Sequence, residues 1–363
     1  MLEDIKKIIS DGVLAPSGEN CQPWKFEIAT GGSAAEMVVR IFNIPEADQS
    51  LYNFNQRGSY VAHGALLENI SISASKYGYS VAIDIFPSKD EQHLVSTVRF
   101  TKTTAKDELK DDGLYPYLAT RCTNRKDHTP VKLTSDEKNQ LVKAAQETGF
   151  GDLKIIDDQE TLNLLGKALA MNEEIIFENK HLHDFFYNHI LWNESEQGEA
   201  GGFYIKTLEF LPHQLKGVKL FKSWGILNFL NKIGKVSKKI AKENAEKYAQ
   251  SGALAAIFVS NNTDTDFVKS GMTVQRVWLT ATKLGLYAHP CTGVLYFMER
   301  IQGGDTSSFS PEHVELIKTA YKDIEKAFGA EGKTIPMLFR VGHADAPTAR
   351  SLRMAPDIKS AIL

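Results

Sequence analysis

Ser73-Ala74-Ser75-Lys76-Tyr77-Gly78-Tyr79 recurs, type for type, as Thr280-Ala281-Thr282-Lys283-Leu284-Gly285-Leu286. Gly64, Ala74, Lys76 and Gly78 find Gly271, Ala281, Lys283 and Gly285 at one constant offset of 207 residues (64 to 271). Apolar residues keep helical spacing in both copies: Leu66, Ile70, Ala74 and Tyr77 in the first, Val274, Val277, Trp278 and Ala281 in the second. Each run closes on a glycine suited to a helix C-terminus. One reading is chance similarity between two buried helices. The other is a single α+β unit present twice, its copies packed about a pseudo-twofold axis like a symmetric dimer in one chain.

Working outward, Ile5, Ile8, Ile9 and Val13 predict a first helix that Ala15-Pro16-Ser17-Gly18 stops. Trp24 to Ile28 alternates as a strand, with a turn at Gly31-Gly32 and a second strand over Met37 to Phe42. Val81 to Phe86 and Leu94 to Phe100 predict further strands. Leu133 to Thr148 and Thr161 to Phe177 predict helices. Ala253 to Ser260 and Ile335 to Val341 predict strands, the latter followed by a polar tail. The expected division is an N-terminal half over 1–118 and a C-terminal half over 119–363.

The 363 residues suit two units, and 42% hydrophobic residues supply a sizeable core. The net charge of -3 argues against a nucleic-acid partner. No apolar run is long enough for a membrane span, and Met1 to Ser10 lacks the apolar core of a signal peptide. Cys21, Cys122 and Cys291 are sparse and widely spaced, which predicts a reducing cytoplasm and no zinc site.

Four segments could carry chemistry. Ala15-Pro16-Ser17-Gly18-Glu19-Asn20-Cys21-Gln22-Pro23-Trp24 places short hydrogen-bonding side chains, Ser17 and Asn20, on a forced loop. In Arg121-Cys122-Thr123-Asn124-Arg125, two guanidiniums flank a hydroxyl at alternate positions. If extended, all three face one side, an arrangement that suits a phosphate. His289-Pro290-Cys291-Thr292-Gly293 is a turn after the second repeated helix, and Arg350-Ser351-Leu352-Arg353 is a basic tail. A capping turn, a solvated basic turn, an ordinary Pro-Gly turn and a solvated tail are the respective structural alternatives.

The first segment resembles the APSSxNxQPWxF signature of the nitroreductase family, with Gly18 where that family often has a second serine. The resemblance implies an α+β nitroreductase-like fold and an FMN cofactor contacted by Ser17 and Asn20. Arg121, Thr123 and Arg125 look like the family's RxSxR element, which grips the FMN phosphate and ribityl chain. The usual order places that element before the serine loop, whereas the good copy here follows it by about a hundred residues. That departure implies two halves that have specialised to build one shared site. Pro290, Thr292 and Gly293 resemble the turn whose backbone N–H faces flavin N5, with Thr292 where a glutamate is common. Arg350 and Arg353 are both candidates for the basic residue that reaches the phosphate from the family's tail. Size, duplication and motif placement resemble the Acg-like branch, single-chain pseudo-dimers with one flavin site and an inserted lid.

The insert is expected over 192–248. Nine lysines and two glutamates lie between Gln214 and Lys247, and Leu220, Trp224, Leu227 and Leu230 keep helical spacing. A lid, a membrane-surface helix and a helix with a solvated lysine face are the readings open. His181, His183 and His189 do not share one helix face, which disfavours a metal site. The resemblance implies a flavin oxidoreductase that takes hydride from NADH or NADPH and passes it to a small organic acceptor in a ping-pong cycle, with no catalytic side chain nominated. Two rivals remain: an FMN-sequestering protein under a closed lid, and a partner-dependent oxidoreductase acting on a peptide or cofactor precursor. Further oligomerisation stays open.

Overall fold

The computed structural model describes residues 1–30, 36–104, 109, 112–199 and 201–362. The Gly31-Gly32 turn lies outside them. The chain opens with α1 (Leu2–Gly12), β1 (Trp24–Thr30), β2 (Glu36–Asn43), α2 (Arg57–Lys76), β3 (Tyr79–Ile85) and β4 (Leu94–Lys102). It continues through α3 (Ser135–Thr148), β5 (Asp152–Ile156), α4 (Gln159–Glu178) and α5 (Lys180–Asn188). Two-residue strands β6 (Ile190–Leu191) and β7 (Phe203–Tyr204) precede α6 (Pro212–Phe221), α7 (Trp224–Gly234) and α8 (Val236–Ala249). β8 (Ala253–Val259), α9 (Asp264–Lys283), β9 (Tyr287–Pro290), α10 (Gly293–Gln302), α11 (Pro311–Phe328), β10 (Thr334–Gly342) and β11 (Ile358–Ile362) complete it.

Two sheets form the frame. The first runs β11-β1-β2-β4-β3, antiparallel except for the parallel β1–β11 pair. α1 and α2 cover one face of it: Ile5, Ile8, Ile9, Phe26, Leu66 and Ile70 share a core. β3 alternates in exposure, as expected of a sheet wet on its other side. The second sheet, β5-β8-β10-β9, is antiparallel, and its central strands β8 and β10 are buried at every residue. α3 and α9 cover one face, while α4, α10 and α11 cover the other. That double cover is why β8 reads as an unbroken apolar run.

α2 and α9 join the sheets. They span equal lengths at the repeat's own offset, and they cross where their glycines meet. A Cβ on Gly64 would lie 1.9 Å from the Val268 carbonyl oxygen, and one on Gly271 would lie 2.1 Å from that of Val61. The contacts are reciprocal, position for position. Arg276 on α9 adds a buried ion pair to Glu68 on α2 at 2.7 Å.

Two expectations need correction. The tail is not merely polar: residues 358–362 form β11 and extend the first sheet, because β1 had a free edge to pair. The insert's stripe is not one helix. Ser223 takes an extended conformation and separates α6 from α7, so Leu220 is exposed while Leu227 is buried. β5, α5, α10 and α11 also went unforeseen.

Candidate flavin-type nucleotide site

A cavity of about 890 Å³ lies among α2, α9, the loops beside them and the insert. Ser17 and Asn20 line it from the loop after α1. Arg121, Thr123 and Arg125 line it from the segment before α3. Pro290, Thr292 and Gly293 line it from the β9–α10 junction, and Arg350 and Arg353 from the tail. Segments hundreds of residues apart in sequence thus face one space.

Specific bonds hold them there. Asn20 Nδ2 donates to the Leu352 carbonyl at 2.9 Å, and the Met354 N–H donates to Gln22 Oε1 at 3.0 Å. Arg121 Nη2 donates to the Leu14 carbonyl at 3.0 Å, and Arg353 Nε to that of Ala15 at 3.3 Å. Thr123 pairs with Ala288 as a parallel bridge, so the arginine segment is extended and anchored beside β9. The serine loop is strained: Glu19, Asn20 and Gln22 have φ of 44°, 59° and 50°. Such conformations cost about 1–3 kcal/mol each and gather at binding sites. Ser17 Oγ steadies the loop by accepting from the Gln22 N–H at 3.0 Å.

The arginines give the cavity its character. Burial pulls Arg121 down to about 9, with Arg353 beside it adding to the effect. Burial likewise lowers Arg125 to about 10 and Arg353 to about 10. Their hydrogen bonds run to carbonyls, and among the described residues no ion pair with a carboxylate forms at any of them or at Arg350. Arg121 stacks over Trp278 at 4.6 Å and Arg125 over Phe203 at 5.3 Å, which fixes the guanidinium planes. Desolvated cations that form no ion pair are costly, and an anion entering the cavity relieves that cost.

Two buried polar atoms point the same way. Among the described residues, Arg121 Nε and Asn20 Oδ1 have no hydrogen-bond partner. One is a donor and one an acceptor, each worth about 1–3 kcal/mol while unmet. At the β9–α10 junction, Thr292 gives α10 no side-chain cap, leaving backbone N–H groups for a ligand. Gly293 leaves room for Asn172: a Cβ there would lie 2.0 Å from Asn172 Oδ1 and would push that side chain aside. A phosphate-bearing, polar-edged planar ligand such as FMN fits this donor set.

A second, acidic pole was not foreseen. Burial and the nearby Asp48 push Glu19 up to about 8, with Arg125 opposing. Burial pushes Glu173 up to about 7, while its hydrogen bonds from Tyr248 (2.9 Å) and Asn172 (3.4 Å) oppose. Asn172 also accepts from the Tyr52 hydroxyl at 3.0 Å. In the sequence, Asn172-Glu173 is an ordinary polar pair within a helix; the packing of α4 against α8, α10 and α11 turns it inward. The insert contributes Phe203, Phe210, Val218, Phe221 and Tyr248 to the lining, and α4 and α5 add Phe177, Phe185 and Phe186. Residues from 192–248 thus form part of the cavity wall.

The cysteines have no thiolate character. Burial raises Cys21 and Cys122, and it drives Cys291 to about 12. His183 pairs its Nε2 with the Phe221 carbonyl at 2.8 Å, and His189 its Nδ1 with that of Phe185 at 2.8 Å. Among the described residues no cluster of three potential ligands is placed to hold a metal, and no helix is long and apolar enough to cross a membrane.

No family model matches the chain. It is 24% identical over 342 residues to an uncharacterized protein of Mycobacterium tuberculosis, a match covering 94% of this chain and 46% of that protein. The chain thus spans less than half the length of the curated relative it matches. Its structural neighbours are FMN-dependent nitroreductases and related flavoproteins. The NfnB nitroreductase of Mycobacterium smegmatis, solved with NADPH, is 14% identical with a TM-score of 0.35, covering 63% of this chain and 86% of that one. An FMN-bound nitroreductase of Bacteroides fragilis is 9% identical with a TM-score of 0.36, covering 66% and 91%. The NADPH:FMN oxidoreductase of Vibrio harveyi, complexed with NAD+, is 10% identical with a TM-score of 0.35, covering 67% and 73%. The fold of this chain is mixed α+β.

Proposed function

We propose that the chain is a nitroreductase-like flavin oxidoreductase built as a duplicated pseudo-dimer, its halves being 1–118 and 119–363. The observation that carries the reading is the group of four arginines that form no ion pair among the described residues, gathered with the strained serine loop and the Pro290–Gly293 segment around one cavity. FMN, when bound, would supply hydride-transfer chemistry linking NADH or NADPH to a small organic acceptor such as a quinone or nitroaromatic, the expected pattern being ping-pong.

The chain's own residues do the rest. Arg121, Arg125 and Arg353 would neutralise the phosphate, with Arg350 at the exposed rim. Ser17, Asn20 and Thr123 would hydrogen-bond the polar edge and side chain of the cofactor. The backbone N–H groups at Thr292 and Gly293 supply fixed donors that need no reorganisation. The aromatic insert keeps water out. Glu173 holds a proton on its carboxyl near neutrality and is placed to release it into the cavity.

The insert's cover favours one alternative, a chain that stores FMN without turnover. Mixing the purified flavoprotein with NADH or NADPH without oxygen separates the two. Prompt bleaching of the visible flavin band is expected; a band that persists while FMN stays bound would replace the enzyme reading with storage.

A further inference from the structure

The insert's outer face has a property the cavity does not use. On α7, Ile226, Phe229 and Ile233 are 41%, 61% and 67% exposed at i, i+3 and i+7, one side of the helix. Leu220 at the end of α6 is 49% exposed. From residue 210 to residue 242 there is no aspartate or glutamate, while Lys216, Lys219, Lys222, Lys232, Lys235, Lys238, Lys239 and Lys242 all fall there. All eight are exposed, in a chain of net charge -3. Lys238 reaches Glu174 at 3.6 Å and Lys222 lies over the Trp192 ring; among the described residues the other six have no ion pair.

We propose that the outer face of α6 and α7 docks onto an anionic lipid surface, Phe229 and Ile233 entering the headgroup boundary while Lys216, Lys219, Lys222, Lys232 and Lys235, on or beside these helices, meet the lipid charge. A row of exposed apolar residues flanked by lysines is the arrangement by which amphipathic helices lie in a bilayer interface. Charge selects among occupants. A second copy of the chain would set lysines against lysines across a twofold contact. A nucleic acid would use the lysines and leave the aliphatic row in water. An anionic bilayer satisfies both features. The inference does not depend on the flavin reading.

The test is co-sedimentation of the purified chain with vesicles of phosphatidylcholine alone and of phosphatidylcholine mixed equally with phosphatidylglycerol. Binding to the mixed vesicles only is expected, falling steeply between about 50 and about 500 mM NaCl. Phe229→Ser with Ile233→Ser should weaken it on the order of tenfold or more. Both side chains are exposed, so the variant should keep the parent's thermal midpoint and far-ultraviolet circular dichroism. Three results overturn the proposal: no binding to anionic vesicles, equal binding by the variant, or a parent dimer in sedimentation analysis that the variant abolishes, which would assign the face to a second copy.

Discussion

Gly64→Ala probes the joint on which the site is built. The added Cβ would meet the Val268 carbonyl oxygen at 1.9 Å and the Gly271 Cα at 2.7 Å. Both obstacles are helix backbone, so no rotamer change relieves them. Opening the oxygen contact alone to 3.0 Å requires α2 and α9 to part by about 1.1 Å, against packing that loses contact over their whole buried faces. Overpacking of this kind costs about 3 kcal/mol. α2 carries Val61, Ala62 and Ala65 in the cavity wall and α9 carries Val274 and Trp278, so separation also shifts the ring beneath Arg121. Urea unfolding should show a much lower midpoint at unchanged slope, and FMN affinity should fall with it. Gly271→Ala should behave alike, and the double variant should cost clearly less than the sum, since one separation accommodates both methyls. A Gly64→Ala protein with the parent's midpoint would refute this crossing.

Two further perturbations address buried charge. Glu173 has a folded pKa of about 7 against an ordinary 4.5, so its stabilising share is complete below about pH 4.5 and is lost as pH rises through 7. Glu173→Gln should therefore narrow the gap between unfolding midpoints at about pH 5 and about pH 8; an unchanged gap would show that this carboxyl titrates normally. Glu68→Ala strips Arg276 of its 2.7 Å partner while Asp112 and Glu147 remain nearby at 2.8 and 3.4 Å. A loss of about 3 kcal/mol in urea unfolding is expected, and a loss under about 1 kcal/mol would mean solvent reaches the pair.

The sequence was informative where local rules and tertiary need agree. The paired helices keep a 3.6-residue stripe and a closing glycine, and their constant offset survives because Gly64 and Gly271 can be nothing larger at the crossing. The motif loops were legible because their chemistry is carried by residue type: arginines at alternate positions stay alternate once the strand-like segment is anchored at Thr123. What escaped notice depends on partners that spacing does not encode. β11 exists because β1 offers an open edge, not because Ile358 to Ile362 insists on a strand. Glu19 and Glu173 acquire their unusual protonation from the desolvating cavity, and the same side chains on a surface would be unremarkable. The break at Ser223 was hidden because Leu220, Trp224, Leu227 and Leu230 keep a helical rhythm across it.

The central claim is that the arginine-rich cavity holds FMN by its phosphate. Titrating flavin-free protein with FMN, parent against the Arg121→Ala, Arg125→Ala double variant, measures that directly. The parent should bind one FMN per chain, and the variant should lose on the order of a hundredfold or more in affinity, as expected for removing two charged hydrogen-bonding groups. A parent that binds no FMN, or a variant that binds it as tightly, would contradict the account.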